Sequence, residues 1–289
     1  MNIRRIVGGA GALLIAATLT ACGGGEGTST TQAKSGDGSA PAATATATPK
    51  EKADGKFVPV YGEATTDENV QMAKDLKDGQ WLETFSQLGN GILKLPIDVT
   101  VAAEECEEAN AYYTPDEKKI TICYELANDG FTRYAEQAES DEENQKHGVA
   151  NLYDTFFHEL GHAVIDIYDL PATGKEDDAA DQLSAYLMTA LDSEGDGQDL
   201  ALQTVNYYFL AASDEDRATL PFYDEHSMSE QRAYNYMCYM YGSDTKFYEG
   251  FVGEEPGMLP KARAERCEDE YAKLVKAWDK LLDPHLKAA

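Results

Sequence analysis

The stretch FFHELGHAVIDIYDLPATGKEDDAADQ, from Phe156 to Gln182, gathers residues that could do chemistry. His158 and His162 stand four apart, so on a helix they project from one face about one turn apart. Two imidazoles so placed can supply two ligands of a tetrahedral zinc ion, whose nitrogen bonds run about 2.0–2.1 Å. Glu159 follows the first histidine directly and falls beside such a metal rather than on it, where it can take a proton from an activated water. The pattern is H-E-x-x-H, which arises by chance in a chain of this length on the order of one time in a hundred. The bland alternative is a helix carrying two satisfied polar histidines. Phe156, Phe157, Leu160 and Val164 weigh against it, because they bury most of the helix and take the histidines inward with them.

A third ligand is needed, and GKEDDAADQ is the source. Asp177 is the first choice, since Asp181 lies four residues on and can accept a hydrogen bond from the far nitrogen of a ligand histidine, fixing its tautomer. Glu176 has a longer arm but finds Ala180 four residues on, and Asp178 is the third choice. Acids are also favoured at a helix start by the macrodipole, so some of the three serve only that purpose. Hydrolysis further needs a donor aimed at the developing oxyanion. His226, in YDEHSMSEQR at an expected helix start, is the candidate, with Tyr234 and Tyr236 as alternatives. His147 and His285 read as surface residues.

These side chains need a scaffold, and the periodicity outlines one. Val70, Met72, Leu76, Trp81, Leu82, Phe85, Leu88 and Ile92 predict one or two helices. IDVTVA alternates as a half-buried strand, and NAYYTPDEKKITICYEL predicts a hairpin turning at Pro115-Asp116. After an acidic loop, AESDEENQKHG, a continuous apolar stripe from Val149 to Ile167 predicts a long helix that the Pro and Gly of DLPATGK stop. Further helices are expected at about 176–191, 199–212, 227–241 and 260–281. Strands sit early and helices late, so the fold expected is α+β, with one small antiparallel sheet and a mostly helical C-terminal half. DSEGDGQDLALQ (Asp192–Gln203) has acids spaced like a calcium loop but Gln203 where the closing Glu belongs, and reads as an acidic interhelical loop.

H-E-L-G-H-A followed by E-D-D-A-A-D-Q resembles the gluzincin-like zinc metallopeptidases, with Asp177 where Glu is usual. More closely the chain resembles a bacterial family of "putative metallopeptidases", through ECEEANAYY, ITICYEL, DEHSMSEQRAYNYMCYMYGSD and LPKARAERCEDEYAKLVKAWDKLL, across most of residues 96–283. The resemblance implies a zincin fold in which the hairpin's edge strand lines the cleft above the zinc helix.

The remainder of the chain supplies an address. MNIRRIVGGAGALLIAATLTAC (residues 1–22) has a basic start, a short apolar run and Leu19-Thr20-Ala21-Cys22, which resembles a bacterial lipobox whose cysteine is lipidated. Residues 23–55, rich in Gly, Ser, Thr, Ala and Pro, have nothing to bury and predict a disordered leash with a reach of roughly 30 Å. Residues 56–289 can bury one core and read as one domain. Residues 57–289 carry 18 Lys/Arg against 48 Asp/Glu, so nucleic acid and bare anionic lipid are poor partners. Setting Cys22 aside leaves four cysteines, and an even number in an exported domain suggests two disulfides. Cys106–Cys123 and Cys238–Cys267 are favoured because each pair lies within one compact segment.

The expectation is therefore a zinc-dependent peptidase held outside the cytoplasm on a bacterial cell membrane through Cys22, acting on peptide or protein. Its metal sits on His158, His162 and an acid at 176–178, with Glu159 as base. The rival is a non-catalytic zinc-binding or scaffold lipoprotein with the same fold. The intact Glu159 argues against that rival, and the short arm of Asp177 argues for it.

Overall fold

The computed structural model of the protein describes residues 54–192, 200–216, 218–220 and 222–287. The signal segment, Cys22 and all but the last two residues of the leash lie outside the described residues, as does the calcium-like loop at 193–199. Among the described residues, no helix is long and apolar enough to cross a membrane.

Four strands build one sheet: β1 (Phe57–Tyr61), β2 (Val99–Glu104), β3 (Ala111–Thr114) and β4 (Lys119–Cys123), in the order β1-β2-β4-β3. The hairpin of β3 and β4 is antiparallel, with Tyr113 opposite Ile120. β1 and β4, however, both run parallel to β2. The sheet is mixed, which corrects the expectation of an antiparallel one. Parallel neighbours need a long crossover, and helices α1 (Asp67–Asp78) and α2 (Trp81–Ile92) supply it between β1 and β2. Pro59 lacks a backbone donor and is tolerated because β1 is an edge strand.

One face of the sheet, with Phe57, Val99, Val101, Ala103, Ile120 and Ile122, is fully buried. The helices α2 and α4 (Asp141–Ile167) cover it. Phe156 of α4 joins both layers, edge-on to Phe57 at 6.5 Å and stacked on Phe85 at 4.7 Å. A short helix α3 (Tyr124–Thr132) follows β4 directly and went unforeseen. α4 also starts earlier than the apolar stripe implied. Ser140 caps it by accepting from the Glu143 amide at 3.2 Å, and Asp141, Glu142 and Glu143 suit the positive end of the dipole. The supposed acidic loop is thus partly first turn of helix.

The C-terminal half is helical: α5 (Glu176–Asp192), α6 (Leu200–Asp214), α7 (Ser229–Ser243), the single turn α8 (Lys261–Ala264) and α9 (Cys267–Leu282). Disulfide-distance sulfur pairs join Cys106 to Cys123 and Cys238 to Cys267, tying β2's exit to β4 and α7 to α9.

His147 corrects a sequence reading. It is 3 % exposed, neither ring nitrogen has a hydrogen-bond partner, and the ring packs on Tyr134. Burial pulls its pKa down to about 4, with Glu143 opposing weakly. The unfolded chain binds the proton near pH 6.5 and the folded chain only near 4, so stability present above 6.5 is lost as pH falls between the two. His147→Leu should therefore flatten the acid limb of a denaturation-versus-pH curve, by up to about 3 kcal/mol at pH 4. An acid limb identical in both proteins would rule this out. His285 is half-buried and stacks on Tyr168 at 3.8 Å, again not a free surface residue.

Candidate metal centre

Gly161 determines how α4 meets α5. A Cβ there would lie 2.7 Å from Ala180 Cα, closer than real carbons approach, so only glycine lets the two backbones come this near. The contact sets the first two turns of α5 beside His158 and His162.

Asp177 faces both histidines. Its Oδ1 lies 3.8 Å from His158 Nε2 and 3.6 Å from His162 Nε2, and the two nitrogens are 3.3 Å apart. Glu176 lies on the other side of His162, its Oε1 2.8 Å from Nδ1. Asp178 turns away and accepts from Ser227 Oγ at 2.7 Å. Asp181 stands behind His158, with Oδ1 2.8 Å from Nδ1. Each imidazole is thus braced at Nδ1 by a carboxylate, which fixes the tautomer with the proton there and leaves a lone pair on Nε2.

Charge and burial follow from this packing. His158, Glu159, Asp177 and Asp181 are all under 9 % exposed. The neighbouring His162 draws the Asp177 carboxyl down to about 2, against the opposing effect of burial. Burial pushes Asp181 up, but Arg232 and His158 outweigh it and hold the carboxyl well below the usual range. Burial alone would lower His162, yet the neighbouring Asp177 and the hydrogen bond with Glu176 carry it up to about 9. Burial raises Glu159, opposed by the neighbouring imidazoles.

His226 reaches the same place from the segment before α7. Its side chain is half exposed, and its Nε2 lies 3.1 Å from Asp177 Oδ1. Asp224 Oδ1 accepts from the His226 amide at 2.8 Å and faces Nδ1 at 3.2 Å. Lys175 Nζ donates to the carbonyls of Asp224 and His226, tying this segment to the start of α5. Of the two tyrosines weighed as alternatives, Tyr236 is fully buried against Asp154, while Tyr234 lines a groove of about 440 Å³ with Asp178, Ser227 and Met228.

The donors fit a divalent metal. Tetrahedral bonds of about 2.0–2.2 Å separate neighbouring donor atoms by roughly 3.3–3.6 Å, close to the spacing of the two Nε2 atoms and Asp177 Oδ1. Two imidazoles with one carboxylate suit a borderline cation such as zinc. Sequence reasoning missed Arg232, Asp154 and Asp224. An arginine in the apolar stripe of α7, beside Ala233 and Tyr236, is a signal that could have found the first, because a buried guanidinium requires a buried acid.

No curated protein and no solved structure gives a significant match to the chain. A family model described as "Putative metallopeptidase" does match, over residues 61–282. That span holds the whole donor set and more than three quarters of the sequence, and the chain belongs to this family.

Proposed function

We propose that the protein is a zinc-dependent peptidase with a zincin-like centre, tethered outside the cytoplasm through Cys22. The observation that carries the reading is the convergence of His158 Nε2, His162 Nε2 and Asp177 Oδ1 within 3.8 Å of one another, beside a buried Glu159. Those three residues would hold the metal, with Glu176 and Asp181 bracing the rings. Zinc bound there supplies Lewis acidity, polarising the scissile carbonyl and lowering the pKa of a water.

The protein's own groups do the rest. Glu159 accepts the proton of the attacking water and hands it to the leaving amine nitrogen, and its burial raises its affinity for that proton. His226 donates from Nε2 to the carbonyl oxygen as it gains charge, with Asp224 orienting the ring from Nδ1. β3, an edge strand packed on α4 and held by the Tyr113 hydroxyl on Asp166 at 2.7 Å, offers backbone groups to an extended peptide. The lipobox-like Leu19-Thr20-Ala21-Cys22 and the paired cysteines support the location.

One observation favours a second reading. His226 Nε2 and a donor atom each of Asp177 and His158 all lie within 4.8 Å of one another, so His226 could serve as a fourth ligand. Four protein ligands make a closed, structural site, whereas catalysis needs an open position. The test is elemental zinc analysis with casein hydrolysis that a chelator abolishes and zinc restores. Stoichiometric zinc without turnover would establish the closed site. The expected result is turnover, with His226→Ala lowering kcat by about 10²–10³ and sparing zinc affinity. A closed site would instead lose zinc affinity in that variant.

A further inference from the structure

We propose that Arg232 is a positioning residue for the metal centre. Its guanidinium orients Asp181, and through Asp181 the His158 ring, so that Nε2 faces Asp177 and His162. The proposal rests on His158 being a metal ligand, as argued above.

Arg232 lies on the inward side of α7, its side chain 16 % exposed. Nε donates to Asp181 Oδ2 at 2.8 Å and Nη2 to Oδ1 at 2.6 Å. Oδ1 is the same atom that meets His158 Nδ1 at 2.8 Å. Both oxygens of the carboxylate are therefore held in the plane of the fork, and Asp181 cannot rotate without breaking a bond. The guanidinium is itself located by packing 4.3 Å over the Tyr208 ring. Tyr208 donates to Asp154 Oδ2 at 2.6 Å, and Tyr236 and Ser184 donate to Oδ1 of the same carboxylate. Asp154 stands one turn before His158 on α4. The ring that carries Nε2 is thus indexed to α4, α5, α6 and α7 together.

Charge and geometry make opposite forecasts for this residue. As a nearby positive charge, Arg232 repels a dication, so removing it should tighten metal binding. As a positioning residue, its removal frees Asp181 and lets His158 turn, so binding should weaken. A lysine keeps the charge but offers no planar fork.

The experiment measures zinc affinity of the full chain by competition with a chromophoric chelator, alongside the visible spectrum of the cobalt-loaded protein and melting of the metal-free form. Arg232→Gln is expected to weaken zinc by about 10–100-fold. Arg232→Lys should also bind weakly and shift the cobalt bands, and it serves alone if the glutamine variant does not fold. Leu76→Ala, in the core of α1 and outside this network, is the control for general loosening: it should lower the melting temperature and leave zinc affinity unchanged. Zinc binding as tight as wild type or tighter in Arg232→Gln overturns the proposal. So does full restoration by lysine, or an equal loss of affinity in Leu76→Ala. A wild-type chain that binds no zinc overturns the metal reading itself, and this proposal with it.

Discussion

Glu159→Gln should cut peptide hydrolysis by about 10²–10⁴-fold while zinc stays bound, the contribution of a positioned general base. Glutamine keeps the length and shape of the side chain and loses only the proton-accepting charge. Glu159 lies beside the donor set on α4 and is 5 % exposed, so its replacement alters neither a proposed ligand nor the packing of the helix. The prediction is a fall in kcat with zinc content unchanged, measured on one preparation by elemental analysis and peptide cleavage. Full activity in that variant would remove Glu159 from the reaction. Loss of zinc would show that its carboxylate serves the metal rather than the water.

Gly161→Ala should have a comparable effect by a different route. In a helix interior alanine is favoured over glycine by about 1 kcal/mol, so propensity alone forecasts a gain in stability. The approach to α5 forecasts the reverse. A methyl at 161 would meet Ala180 Cα at 2.7 Å and Cβ at 2.9 Å, and backbone cannot swing aside as a flexible side chain does. Overpacking of this kind costs about 1–3 kcal/mol. The helix displaced is the one carrying Asp177 and Asp181, so zinc affinity should fall together with the melting temperature. A variant that melts higher and binds zinc unchanged would show that α4 and α5 tolerate a wider spacing.

How much of this was legible in the sequence depends on range. The two histidines, Glu159 and the apolar stripe beneath them are local: one helix period fixes their relative positions, and the structure places them on one helix as expected. The hairpin was local too. The choice among Glu176, Asp177 and Asp178 was not, because three consecutive residues on a helix point about 100° apart and the one facing the histidines depends on how α5 lies across α4. That crossing is governed by Gly161 against Ala180, a contact between residues 19 positions apart. The parallel pairing of β1 with β2 was hidden for a related reason. Phe57 pairs with Val99 across two intervening helices, and no short window contains both strands. The Arg232–Asp181 fork spans 51 residues and needed the helical bundle to be visible.

The bond from Cys106 to Cys123 encloses the whole of β3, which begins at Ala111 and ends at Thr114. An unprotected sheet margin invites neighbouring molecules to exchange strands or to stack into fibres. A segment sewn into a ring closed over 17 residues cannot be pulled out and traded, and the closure itself stabilises by about 3 kcal/mol. A short visitor can still lie alongside, since docking asks nothing of the ring's connectivity. Oxidation of one thiol pair thereby guards this margin against self-assembly, and a reducing milieu would remove the guard.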